Sequence, residues 1–565
     1  MHFKWDYEPP TSNEIQAAEE LAAELGKSPI VARLLMQRGI RTLDEAKRFF
    51  RPQLPNLYDP FLMNDMDKAV DRLNAALGRK EKILVYGDYD VDGCTAVALV
   101  YKFLRQFYSK IDYYIPDRYE DGYGVSDKAL EYAREMDVKL IIILDCGIKA
   151  NEQIATAKEM GIDFIVCDHH MTDDDLPEAV AILDPKRKDN TYPFEHLSGC
   201  GVGFKLMQGF AKSNGIPFNK LIPLLDLCAL SIVSDLVPIT DENRILCFHG
   251  LRQLNHAPSI ALKAIMETCG LTDKEITIND ITFKIGPRIN ASGRVQNGSE
   301  TVDLLIETDY EKALEMARNV NEYNEQRRDI DKQMTDDANQ IVSRLETQGH
   351  SSSIVIYDES WKKGVIGIVA ARLMERFGKP CFLLSKDGTT LISVVPVLGS
   401  ANAVTLPASV LKVGDNAFSG NTSVVSVDLN NATHVGDNAF RGCRSLTGVT
   451  GAKLTYIGNN AFEYSAITSV PDLTNVDHIG KYAFAQTAIA SLSLTKDGAT
   501  IGEYAFTDCK NLATVTLGDD VTIGNGAFLF TCDATYNYDN DLTSLTIGEN
   551  AVIGDSAFRG ADRLT

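Results

Sequence analysis

The sequence holds no Cys-x-x-Cys pair, although 11 cysteines are scattered through its 565 residues. Isolated thiols of this kind, several beside the ends of apolar runs, read as reduced. They exclude both a zinc site built on paired thiolates and a disulfide framework. No apolar run is long enough to span a bilayer, and Met1-His2-Phe3-Lys4-Trp5-Asp6-Tyr7 lacks the charged start and apolar stretch of a signal peptide. A cytoplasmic protein with no membrane partner is the expectation. Positive charge is scarce: 56 Lys+Arg stand against 78 Asp+Glu, a net of −22. That balance excludes unspecific adhesion to nucleic acid, though not a local basic track. Methionine is absent beyond residue 400, with all 12 before it, and Thr, Asn, Ala, Val and Gly dominate thereafter. Two unlike modules are joined there, in a chain too long for one domain.

What is present centres on Lys82-Ile83-Leu84-Val85-Tyr86-Gly87-Asp88-Tyr89-Asp90-Val91-Asp92-Gly93. An apolar run reads as a buried strand, Gly87 ends it, and a helical stretch starts near Thr95. Asp88, Asp90 and Asp92 crowd together in between, and such carboxylates repel unless a cation or protons neutralise them. A solvated acidic turn or a calcium loop has the same local pattern. Upstream, residues 12–76 read as helical, with starts at Ser12-Asn13-Glu14-Ile15 and Leu43-Asp44-Glu45-Ala46 and no evident chemistry.

Downstream, apolar runs at 83–86, 111–115, 140–144, 164–167 and 180–183 alternate with helical segments. This is the signature of a parallel α/β sheet covered on both faces. Each run ends in ionisable residues: the three aspartates, then Asp117-Arg118, Asp145, Asp168-His169-His170 and Asp184. Ligands of open α/β sheets gather at these carboxyl ends. A helix near 224–233 delivers Ser234-Asp235. Aspartates with an imidazole and no thiolate suit manganese or magnesium above zinc. They can hold two ions about 3.5–4 Å apart at a phosphoryl centre, and His170 beside them could protonate a leaving oxygen or contact the phosphate.

Gly87-Asp88-Tyr89-Asp90-Val91-Asp92-Gly93, Leu144-Asp145-Cys146-Gly147, Asp168-His169-His170 and Ser234-Asp235 resemble, in order, the four motifs of the DHH phosphoesterase family. Within it the chain is most similar to the RecJ-type exonucleases, over roughly residues 1–388. The stretches 286–294 and 361–372 look like further signatures of that group. The resemblance implies a 5′→3′ exonuclease of single-stranded DNA using two manganese or magnesium ions. It implies metal ligands at Asp88, Asp90, Asp92, Asp145, His169 and Asp235, with Asp168 orienting a ligand and His170 acting as acid. Arg118 and Tyr123 would serve the 5′ phosphate, and Arg288 and Asn290 would face the scissile region. Residues 1–77 are then a helical segment, 78–309 the metal domain, 310–348 a connecting helix and 349–399 a second α/β lobe.

After Gly388 the sequence departs from that family. A Gly-Ser-Gly-Arg-Ser-like loop and a later OB-fold are expected but absent, so the second lobe is cut short. An Ile/Val-Gly-x-x-Ala-Phe unit follows instead, its glycines at 414, 436, 458, 480, 502, 524 and 554. A fixed period of 22 means a solenoid, here with a stacked Phe core and an insertion near Thr531–Asn540. Residues 400–565 resemble BspA-type leucine-rich repeats. Cys443 and Cys509 lie three rungs apart, roughly 14 Å at about 4.8 Å per rung, and are expected as core fillers. Three readings stand: a RecJ-like exonuclease, or a broader phosphodiesterase of short oligonucleotides; a binding protein whose solenoid meets a protein partner and whose nuclease is inactive; or a join at 388–400 that is not natural and comes from an assembled or engineered reading frame.

Overall fold

The computed structural model describes residues 10–117, 124–172, 175–295, 298–346, 354–358, 360–379, 381–385, 390–391, 402–406, 410–530 and 540–564. The chain divides into two compact units, Met1–Gln326 and Arg327–Thr565, the boundary falling within the helix Tyr310–Glu346. Among the described residues no helix is long and apolar enough to cross a membrane.

The first unit opens with α1 (Ser12–Leu25), α2 (Pro29–Met36) and α3 (Leu43–Phe50), each started by a hydroxyl that accepts a backbone N–H. The caps are Thr11, Ser28 and Thr42, and Glu14 and Glu45 close capping boxes with the first and third. The first helix thus begins at Ser12, as read from sequence, with Thr11 before it as the cap. After α4 (Met66–Arg79) comes the sheet: β1 (Lys82–Gly87), β2 (Ile111–Tyr114), β3 (Val138–Leu144), β4 (Asp163–Cys167) and β5 (Ala181–Leu183). Its order is β2-β1-β3-β4-β5 and every pairing is parallel.

The strands are apolar throughout because both faces are covered. Ile83, Val85, Leu140, Ile142 and Leu144 face one core with α5 (Val91–Arg105). Leu84, Tyr86, Ile141 and Ile143 face another, with α6 (Asp127–Glu135) and α7 (Asn151–Glu159). Helix α5 is buried nearly all round, packed on α8 (Gly199–Ser213) and α9 (Leu225–Ser234). Each fully buried Leu, Ile or Phe here stabilises the fold by about 1.5–3 kcal/mol. The pair Lys205–Glu242, 3.0 Å apart and wholly buried, fastens α8 to α10 (Asp241–His256). Tyr192 and the backbone of Tyr58 satisfy its remaining polar atoms.

In the second unit, Ile354–Asp358 pairs in parallel with Cys381–Ser385, and the helix Lys363–Phe377 crosses between them. Trp361, Val365, Val369 and Leu373 bury that helix against Ile356 and Leu383. The repeats form a parallel sheet of two-residue strands in a 22-residue register, as in His434↔Tyr456 and Tyr456↔His478. That register reaches back to Thr390–Leu391, which pairs with Lys412–Val413, ten residues before the boundary read from composition. The insertion at 531–539 lies outside the described residues, but the pairing Thr522↔Val552 carries the 30-residue interval across it.

Phe440, Phe462, Phe484, Phe506 and Phe528 stack with centroids 5.1 Å apart. Phe418 and Phe558 extend the ladder at 4.6 and 5.0 Å. Each Phe N–H donates to the next rung's alanine carbonyl, as from Phe440 to Ala461 at 2.7 Å. Cys443 and Cys509 are free, and each thiol donates to a carbonyl one rung back, Phe418 at 3.0 Å and Phe484 at 3.1 Å. Phe462→Ala should cost about 3–5 kcal/mol, read as a lower urea midpoint of the repeat unit. Phe558→Ala, at the half-buried end of the ladder, should cost less. Equal costs would mean the ladder is not the core of the solenoid.

Candidate metal centre

Every acidic side chain singled out from the sequence motifs of the metal domain lies at the carboxyl edge of the sheet or at a helix end beside it. Asp88 follows β1, and Asp90 caps α5, its carboxylate accepting the N–H of Gly93 at 3.0 Å. Gly93 is required by crowding: a Cβ there would fall 2.3 Å from the carbonyl oxygen of Asp88. Asp92, in the first turn of α5, is 1% exposed. It accepts N–H groups from Gly199 at 2.7 Å and Cys200 at 2.8 Å, and the Ser231 hydroxyl at 2.7 Å. It is thereby fixed to the start of α8 and to α9, where helix dipole and free N–H groups favour a carboxylate.

Asp145 follows β3 with φ of 59°, a left-handed conformation that an aspartate tolerates. Gly199 packs so closely on it that a Cβ would meet Asp145 Cβ at 2.6 Å. His169 Nε2 lies 3.0 Å from Asp145, 3.6 Å from Asp235 and 3.7 Å from Asp92. The other ring nitrogen, Nδ1, is buried with no hydrogen-bond partner. Asp168 accepts the backbone N–H of Ile148 at 3.0 Å, that of His169 at 2.7 Å and the Nδ1 side of His170 at 2.7 Å.

The charges at this edge oppose one another. Burial, then Asp92, Asp90, Asp168 and Asp88, push the Asp145 carboxyl well above the usual carboxylate range. Burial followed by Asp92 raises Asp90 as well. Burial, then Asp92 and Asp90, bring Asp235 to about 7. Burial pushes the His169 imidazole down, whereas the hydrogen bond to Asp168 raises His170. Burial works to raise Asp168, but its bonds from His170 and the backbone hold it below normal. Burial drives the Cys94 and Cys146 thiols well up, and neither belongs to the candidate ligand sets found among the described residues.

Among the described residues, three sets of side chains bring ligand atoms within 4.8 Å of one another: Asp88, Asp90 and Asp145; Asp145, His169 and His170; and Asp92, His169 and Asp235. The sets overlap at Asp145 and His169. Crowded carboxylates that burial and mutual repulsion push toward protonation, beside an orphaned imidazole nitrogen, fit divalent cations by donor type and by charge.

Residues 82–232 match the DHH family, N-terminal domain, and residues 398–513 and 449–565 match the BspA type leucine rich repeat region. The chain is 33% identical over 433 residues to the single-stranded-DNA-specific exonuclease RecJ of Escherichia coli, covering 73% of this chain and 74% of that one. The chain belongs to the RecJ family. It is 37% identical over 385 residues to RecJ of Bacillus subtilis, covering 68% of this chain but only 48% of that relative. It thus spans about half the length of that RecJ protein. A crystal structure of exonuclease RecJ bound to manganese superposes with TM-score 0.53 at 28% identity, covering 59% of this chain and 82% of that one. RecJ of Thermus thermophilus in complex with Mn2+ gives 0.57 at 26%, covering 68% and 55%.

Within this RecJ-family unit the structure brings Asp88, Asp90, Asp92, Asp145, His169, His170 and Asp235 together. Arg118 and Tyr123 lie outside the described residues. Asn290 reaches the motif loop by a different route from the one expected: its Oδ1 accepts the Val91 N–H at 3.1 Å and fixes the start of α5. Arg288 is engaged elsewhere, donating to Asn321 and to the Lys284 carbonyl, both at 2.8 Å. Sequence reasoning missed Ser198, Gly199 and Ser231, which immobilise Asp92. The signal was a serine cap before a Gly-Cys-Gly helix start. Asp184, at the end of β5, is buried to 1% exposure and pushed to about 7 by burial.

These raised carboxyls set a pH dependence. Unfolded carboxyls titrate near about 4, so the folded, metal-free chain binds extra protons and loses stability as pH rises from there through about 7. His169 acts in the opposite sense but is outnumbered by Asp90, Asp145, Asp184 and Asp235. Manganese should therefore raise the melting temperature more at pH 8 than at pH 5, and Asp145→Asn should shrink the difference. A larger stabilisation at pH 5 would contradict this electrostatic reading.

Proposed function

We propose that the chain hydrolyses single-stranded DNA from the 5′ end with two divalent ions, manganese or magnesium, held by Asp88, Asp90, Asp92, Asp145, His169 and Asp235. The observation that carries this reading is the overlap of ligand sets at Asp145 and His169 in a chain of the RecJ family. The named relatives are single-stranded-DNA-specific exonucleases, and RecJ crystals hold manganese. When bound, such ions supply a hydroxide at neutral pH and offset the charge of the phosphoryl oxygens.

The chain's own residues do the rest. Asp168 takes the Nδ1 side of His170, which leaves Nε2 as the nitrogen able to give a proton to the leaving oxygen. The hydrogen bond to Asp168 raises the basicity of His170, which favours the protonated form that a proton donor needs. Asn290, through Val91, and Ser231, through Asp92, keep the motif loop in place. Arg118 and Tyr123 serve the terminal phosphate in this proposal, Arg288 braces its own helix, and the repeat unit offers a surface to a protein partner.

The test is manganese-dependent hydrolysis of 5′-phosphorylated single strands, run beside a dinucleotide. Asp145→Ala and Asp90→Ala should reduce both activities to background with an unchanged far-UV spectrum. Asp168→Asn, which acts through its neighbours, should lose about 10–100-fold. Near-wild-type hydrolysis by both alanine variants would end the two-metal reading. Activity confined to the dinucleotide would make the substrate a short oligonucleotide.

A further inference from the structure

The three most exposed large apolar side chains among the described residues are Leu236 at 79%, Phe283 at 72% and Met171 at 70%. Two of them directly follow residues of the metal cluster, and the third lies on a turn packed against the helix that delivers Asp235. Met171 follows His170, whose ring centroid lies 4.7 Å from that of His169. Leu236 follows Asp235, whose carboxylate is 3.6 Å from His169 Nε2. Phe283 sits in the π-helical turn Ile281–Ile285. That turn packs against the end of α9: a Cβ on Gly286, the residue closing it, would come 2.9 Å from Ser234 Oγ.

Two of these positions are unusual beyond their exposure. Leu236 has φ of 59° just after the end of α9, the place where a helix ordinarily ends on glycine because a side chain is strained there. A leucine held there and left in water contributes nothing to the core. Phe283 rides on a wide helical turn, a geometry that recurs where a helix is bent to present a functional side chain. An isolated exposed apolar residue needs no explanation, but this concentration around one acidic cluster does.

We propose that Phe283, Leu236 and Met171 form an apolar rim that receives unpaired nucleobases of the strand whose phosphate occupies the metal centre. The inference rests on the proposed activity and adds to it the part of the substrate that gives affinity. A net charge of −22 gives the phosphate backbone little overall attraction, so contact with the neutral bases beside the metal centre adds hold that does not depend on charge. Stacking on an aromatic face and contact with aliphatic and thioether groups supply that hold without reading sequence. Bases already paired in a duplex present no free face to such a rim, which makes the rim a source of selectivity for single strands.

The experiment is fluorescence anisotropy of the full chain with a 3′-labelled single strand whose 5′-terminal linkages are phosphorothioates, compared with the same strand carrying abasic residues at those positions. The wild type should bind the abasic strand about tenfold more weakly. Phe283→Ala should lose about the same factor on the normal strand and little on the abasic one, and Phe283→Trp should bind as wild type. Leu236→Gly, which keeps the left-handed turn and removes the side chain, should weaken the normal strand selectively as well. Equal affinities for both strands in the wild type, or equal losses on both strands in the variants, would overturn the rim. So would unchanged binding accompanied by a shift in sedimentation, which would assign the patch to a protein contact. Failure of the hydrolytic reading is separable, because it shows as absence of manganese-dependent cleavage by the wild type and leaves the comparison of normal and abasic strands readable.

Discussion

Repulsion among buried carboxylates is the constraint around which the first unit is built. Asp92 and Asp145 are 1% and 3% exposed, and Asp88 is 6% exposed. In so dry a place like charges cost far more than at a surface. Such an arrangement persists only where the scaffold is too rigid to let the side chains part. The rigidity has identifiable sources: Asp92 held by two backbone N–H groups and a serine, Asp168 by backbone and imidazole, and Asp145 confined by the approach of Gly199. The apolar sheet and the almost fully buried α5 anchor those contacts in turn. Tight packing therefore stores an unfavourable charge distribution that protons or the proposed divalent cations would relieve, which links the hydrophobic core to the proposed chemistry.

The second unit follows a different logic. Each solenoid rung meets only its neighbours, so its stability is a sum of near-identical contacts and not the product of one central core. The Phe ladder supplies apolar contact, while side-chain carboxylates and amides bridge rungs from below. Asp415 accepts the N–H of Asp437, Asp437 that of Asn459, and Asn459 that of Lys481. No comparable charge cluster is needed to define the fold.

The sheet of the first unit was legible because burial on both faces leaves a distinctive sequence: five apolar runs, each ending in an ionisable residue. The clustering of the candidate ligands was legible for the same reason, since strand ends fix where Asp88, Asp145, Asp168 and His169 must go. What sequence could not supply were contacts between segments far apart in the chain. Asn290 is 199 residues from Val91, and Ser231 is 139 from Asp92. Nor did sequence show the neighbours of Arg288, expected to face the scissile region: it donates to a carbonyl one turn back and to Asn321 on another helix. The solenoid was the easiest part, its period being written directly in the glycines. Its first rung at Thr390 escaped because that rung lacks the Gly-x-x-Ala-Phe mark and is recognisable only by pairing.

The ionic arrangement itself can be observed directly by electron paramagnetic resonance of the metal-free chain titrated with manganese. If the overlapping sets at Asp145 and His169 are filled as proposed, the two ions lie close enough to be spin-coupled. The expected spectrum is therefore the broadened, multiline signal of a manganese pair, saturating at two ions per chain and lost in Asp145→Asn. A simple six-line signal from one isolated ion, or a pair signal that persists in Asp145→Asn, would contradict the shared-carboxylate centre.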